Sequence, residues 1–178
     1  MGRFRTSVAL AVLVATVGVA SASAAPSGQS GVRALRSLDL AIVAQLNVVR
    51  AQHGLRRLTV APGLAASARV HSREMAGSGV FEHDSPNGTL WWKRIRLTYG
   101  PVGYHSWSVG ETLAWLSSPA TAADVMTMWL NSPEHRAIIL GTTWNQLGVS
   151  AVQTSDAPGD FGNAAATIVT ADFGVRSR

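Results

Sequence analysis

Apolar residues recur at helical spacing through the first two-thirds of the chain and alternate at strand spacing near its end, with turn residues at each change. Leu38, Ile42, Leu46 and Val49 lie four, four and three residues apart, predicting an amphipathic helix from Ser37 to His53 that stops at Gly54. Leu58 and Val60 flank a short extended link. Pro62 and Gly63 then open a second helix, whose Leu64, Ala68, His71 and Met75 share a face until Gly77-Ser78-Gly79 ends it. Asn87-Gly88 marks a turn, and Thr89 is expected to cap a short helix through Trp91, Trp92 and Ile95, broken by Tyr99-Gly100-Pro101. Residues 101–110 read as loop. Residues 111–117 fit either a strand or the start of a helix, and periodicity leaves both open.

Ser118-Pro119 is expected to cap a helix whose buried stripe is Ala122, Val125, Met126 and Trp129, ending at Asn131. Ser132-Pro133 starts another short helix at once, carrying Glu134, His135, Ile138 and Ile139 and stopping at Gly141. The period then changes to two. Residues 147–152 and 166–173 alternate as strands, joined by a turn-rich stretch from Ser155 to Asn163. Helices first and strands last predict an α+β fold with an antiparallel sheet, and no repeat of solenoid length is present.

The amino-terminal residues follow a different pattern. Arg3 and Arg5 precede an apolar run from Val8 to Ala20 and then Ala22-Ser23-Ala24, the three zones of a secretory signal peptide. Cleavage is expected near Ala24-Ala25, giving a secreted, extracellular or envelope protein with no membrane span in its mature form. Residues 25–37 read as a polar, flexible leader and residues 38–178 as one domain.

Composition narrows the chemistry. Residues 1–24 hold two of the 15 basic side chains, Arg3 and Arg5, so the remainder carries 13 against 10 acidic ones. These basic residues are scattered, which argues against nucleic acid as a partner. The absence of cysteine excludes disulfides, a thiol nucleophile and thiolate metal sites, leaving His, Asp and Glu as ligands for any metal. A domain of this size buries roughly two-thirds of its unfolded-chain surface, enough for a core without covalent staples. Charged residues make up only 14% of the chain, so each one left is informative.

Two of the five histidines have a local setting that suggests chemistry. His135 falls in a helical first turn, where the positive end of the helix favours a neutral imidazole suited to a metal. His83 stands in the link Phe81-Glu82-His83-Asp84-Ser85-Pro86, which can present a side chain to a cleft. Glu111, among apolar neighbours, needs a partner when buried; a nearby imidazole and a backbone end fit equally. Six tryptophans, at positions 91, 92, 107, 115, 129 and 144, cluster in the same part of the chain, as core or as a ligand-lining wall.

Taken in order, these pieces resemble the CAP superfamily of cysteine-rich secretory proteins, antigen 5 and pathogenesis-related class 1 proteins, in its cysteine-free bacterial branch. The resemblance runs over residues 38–174. It rests on Leu46-Asn47-x-x-Arg50, Phe81-x-His83-x-Ser85-Pro86, Gly110-Glu111-x-Leu113-Ala114, Trp129-x-Asn131-Ser132-Pro133-x-His135-Arg136, Leu147-Gly148-Val149 and Asp172-Phe173-Gly174. It implies a three-layer α-β-α sandwich around a central antiparallel sheet, with His83, His135 and Glu111 facing one another as ligands for zinc or another divalent metal. The chain departs from the family's fullest pattern by lacking a second cleft glutamate, by Thr112 in place of asparagine, and by Glu134 before the second histidine.

Three functions follow as expectations. The first is a secreted, non-catalytic binding module with a metal-responsive cleft, whose extracellular ligand could be a lipid, a glycan or a protein. The second is a hydrolase in which His135, Glu111 and His83, or a bound metal, activate Ser85, Ser106, Ser132 or water. The third is a lipid or sterol carrier. The hydrolase is weakened by the absence of G-x-S-x-G and H-E-x-x-H.

Overall fold

In a computed structural model describing residues 31–178, three long strands decide the layering because their side chains alternate between two helical layers. These are β3 (Ser106–Ser117), β4 (Gln146–Ala157) and β5 (Ala164–Ser177), with β5 central and antiparallel to both neighbours. The outer edge of β4 is lined by two short strands, β1 (Arg33–Ala34), antiparallel, and β2 (Thr59–Val60), parallel. The sheet is therefore antiparallel except at β2. The expected signal segment and its cleavage point lie outside the described residues.

Helix α1 (Arg36–Gln52) turns Ile42 and Leu46 onto one face of the sheet. Helices α4 (Ala122–Asn131) and α5 (Pro133–Ile139) share that face, and Val125, Met126, Trp129 and Ile139 close over Val149, Val169, Ala171 and Phe173. Helix α2 (Pro62–Ser78) and the short α3 (Trp91–Thr98) cover the opposite face, with Met75 and Ala76 against Leu113, Val152 and Ile168. The α+β fold is thus a three-layer sandwich. Gly148 permits the close seat of α2, since a Cβ there would stand 2.1 Å from the Ala65 amide nitrogen. Ser72 pins the same contact by donating to the Ser150 carbonyl at 2.9 Å and bonding Thr170 at 2.9 Å.

The residues Asn47 and Arg50 of the first motif are structural clasps. Asn47 exchanges two hydrogen bonds with the Leu58 backbone, at 2.7 and 3.0 Å. The fully buried Arg50 donates through Nη1 to the carbonyls of Ile139 and Gly141, at 2.6 and 2.9 Å, and so anchors the end of α5.

Four local expectations are corrected. Residues 106–110 are strand rather than loop, because twelve consecutive residues of β3 pair with β5. Thr89 does not cap α3; the Trp91 amide donates instead to Asp84 Oδ1 at 2.9 Å. Ser118-Pro119 does not open α4, which starts from a capping box between Thr121 and Asp124. The last residues of the expected leader are part of the fold, since Arg33 and Ala34 pair with Gln153 and Val152 and Arg36 begins α1. The expected start of α5 is as read: Ser132 Oγ accepts from the His135 amide and Pro133 takes the first position.

Candidate functional site

Strand alternation turns Glu111 of β3 toward the α2 and α3 layer, beside its register partner Asp172 of β5. Glu111 is 2% exposed, so its charge needs compensation. One oxygen, Oε1, accepts from His83 Nδ1 at 2.8 Å. The other, Oε2, accepts from Arg94 Nη2, whose guanidinium is itself buried. Burial alone would raise this carboxyl, but the His83 hydrogen bond and the Arg94 charge hold it below its ordinary value.

His83 is placed by the link between α2 and α3. Phe81 fixes one end by donating its amide to Asp160 Oδ2 at 2.8 Å, and Arg94 Nη1 fixes the other by donating to the His83 carbonyl at 2.9 Å. The imidazole is half-exposed, and its hydrogen bond to Glu111 raises its pKa. His135 is different. Burial, then the positive charge of His83, lower its pKa, and its Nδ1 is buried without a hydrogen-bond partner. The neutral imidazole expected there has burial as its first cause.

Arg94 and Asp172 are central to the site, yet neither stood out as a site residue in the sequence. Arg94 follows Trp91 by three residues and precedes Ile95, which puts it on the inward face of α3, and that periodicity is the signal that could have found it. Asp172 has both oxygens buried and unpaired, and burial together with the neighbouring Glu111 charge raises its pKa well above the ordinary carboxylate value. Its proximity to Glu111 is a matter of register, which composition does not reveal.

The candidate nucleophiles are engaged elsewhere. Ser85 Oγ donates to Glu74 Oε2 at 2.8 Å and accepts from Arg94 Nη1 at 3.2 Å. Ser106 bonds Ser177, and Ser132 caps α5. Glu134 lies in the first turn of α5, and Thr112, on the strand position next to Glu111, is buried with its hydroxyl unpartnered. Among the tryptophans, Trp129 is wholly core and donates to the Leu113 carbonyl at 2.8 Å. Trp115 packs edge-on against Phe161, and Trp107 and Trp144 each donate to a backbone carbonyl.

Of the three expected ligands, His83 and Glu111 are in direct contact, and His135 is near enough for the His83 charge to act on it. Each Glu111 oxygen accepts a hydrogen bond, and among the described residues no group of three or more His, Asp or Glu side chains is arranged to hold a metal ion. What the donor set does contain is a half-exposed imidazole, His83, whose Nδ1 is held by a carboxylate. Such a carboxylate–histidine pair is the usual support behind a metal-binding imidazole.

The model of the cysteine-rich secretory protein family, CAP, matches residues 43–173. The chain belongs to the CAP family. This CAP domain is 29% identical over 120 residues to the uncharacterized protein YkwD of Bacillus subtilis, an alignment covering 64% of the chain and 42% of YkwD. It superposes on an outer surface protein of Borrelia burgdorferi with a TM-score of 0.63 at 20% identity, over 76% of the chain and 90% of that protein. An extracellular SCP-domain protein of Bacillus anthracis gives 0.60 at 25% identity, over 80% of the chain and 41% of that protein. The chain thus spans less than half the length of the curated relatives it matches.

Proposed function

We propose that this CAP domain is a secreted, non-catalytic binding module acting outside the cell or in the envelope. The observation that carries the reading is the commitment of Glu111. A carboxylate held on one side by buried Arg94 and on the other by His83 is kept ionised as their partner, and among the described residues no candidate serine is bonded to a histidine ring. The extracellular setting is supported by the Bacillus anthracis relative, described as extracellular, and by the amino-terminal sequence pattern. Among the described residues no helix is long and apolar enough to cross a membrane.

In this reading a divalent cation such as zinc is held by His83 and His135, and Glu111 stands behind His83 as its orienting partner. When bound, the cation offers a positive centre on which a ligand of a partner molecule can complete the shell. The protein's own part is to hold His83 by Glu111 and to keep His135 neutral by burial.

Calorimetric titration of zinc into the purified chain, His83→Ala and His135→Ala tests this reading. One zinc per chain, lost in both variants, is expected, and Glu111→Gln should weaken it by roughly 10–100-fold. Absence of zinc binding by the unsubstituted chain overturns the cation. Hydrolysis of a peptide or ester library that disappears in His135→Ala overturns the non-catalytic role.

A further inference from the structure

A second site lies on the opposite edge of the sheet and goes beyond the reading above. Strands β1 and β2 both flank β4, but β1 pairs at Val152 and Gln153 and β2 at Gln146 and Leu147. Between them the edge of β4 has no neighbouring strand. Leu147 accepts from the Ala61 amide at 2.9 Å, while Ala151 accepts from Leu35 at 2.9 Å and donates to Asp39 Oδ1 at 2.6 Å. Alternation turns the Val149 N–H and C=O toward this same edge, and no backbone hydrogen bond to them closes the gap among the described residues.

The gap opens into a groove of about 620 Å³. Its α1 side presents Leu40 and Val43, and its α2 side presents Arg69 and Arg73, one helical turn apart, with Arg36 at one end. None of the three guanidiniums pairs with an acidic side chain among the described residues. The acid of the groove, Asp39, is already used by the Ala151 amide. Leu40 is 69% exposed and Val60, at the mouth, is 51% exposed.

We propose that this groove binds a short acidic peptide in extended conformation, which bridges the gap between β1 and β2 by pairing with Val149. A strand seated there turns alternate side chains to opposite faces, so apolar residues meet Leu40 and Val43 while carboxylates meet Arg69 and Arg73. The unpaired edge supplies the main-chain recognition, and the excess of arginine over acid selects the charge.

The probe is a fluorescein-labelled peptide of sequence Val-Glu-Val-Glu-Val, titrated into the full chain by anisotropy and followed by the amide resonance of Val149. Saturable binding that shifts this resonance, weakens at least tenfold in Arg69→Glu/Arg73→Glu, and is lost when the central peptide nitrogens are N-methylated is the expected result. The arginines are exposed, so the variant should keep its far-UV circular dichroism; if it does not, the N-methylated peptide still decides. Absence of binding overturns the proposal, as does equal binding of the N-methylated peptide, which would mean ion pairing alone. Dodecanoate giving the same Val149 shift at equal affinity also overturns it, in favour of an acyl anion.

Discussion

The two faces of the sheet come from the same strands yet differ most where the candidate site lies. Toward α1, α4 and α5, the alternate residues Val149, Val169, Ala171 and Phe173 form an apolar layer. Toward α2 and α3, their neighbours Ser150, Thr170, Asp172 and Glu111 are as deeply buried but polar, and Arg94, His71 and Ser72 descend from the helices to meet them. The first face gains from area removed from water; the second is stable only while its polar groups find partners. A single-residue alternation thus separates an apolar layer from the polar cluster of the candidate site.

The sharpest break of this comparison is Arg94→Ala. It leaves the Glu111 carboxylate buried with one partner, and a loss of about 3–5 kcal/mol in urea unfolding is expected. Arg94→Met combined with Glu111→Gln should lose less than Arg94→Met alone, because the second substitution removes the stranded charge; a larger loss would contradict the ion-pair account. On the apolar face, Leu46→Ala removes a fully buried side chain and should cost about 2–5 kcal/mol in the same assay. Ser132→Ala removes the cap of α5 and should cost about 1 kcal/mol.

The smallest effect near pH 4 is that of Asp172→Asn, and it should grow with pH. Asp172 is raised when folded, so as pH climbs past the ordinary carboxylate range the unfolded chain releases its proton first and the unsubstituted protein loses stability. Melting temperatures of the two proteins should therefore diverge as pH rises above the ordinary carboxylate value, in favour of the variant. Parallel curves would show that Asp172 ionises as easily in the fold as outside it.

Much of this architecture is written in local pattern. The stripe Leu38, Ile42, Leu46 gives α1, the pair Ser132-Pro133 gives the start of α5, and period-two alternation gives the cores of β4 and β5. His83, Glu111 and His135 were legible as candidates, and the direct contact of His83 with Glu111 is present. What local pattern could not show was competition for Glu111. Arg94 is adjacent to Glu111 only after α3 packs over β3, and that tertiary contact gives the carboxylate a second partner besides His83. Residues 106–110 were misread for a similar reason: Ser106, Ser108 and Gly110 have weak strand propensity, and twelve pairings along β5 override it.

The junction at Ser132 has a mechanical consequence. One residue closes α4 and opens α5, so no loop separates the indole of Trp129, sealed in the core, from the imidazole of His135. At its far end α5 is tethered by Arg50 to α1. The short helix therefore behaves as a beam clamped at both ends rather than as an arm on a hinge. A repacking beneath Trp129 would reach His135 as a change of aim, which makes the imidazole a reporter on the state of a core it never enters.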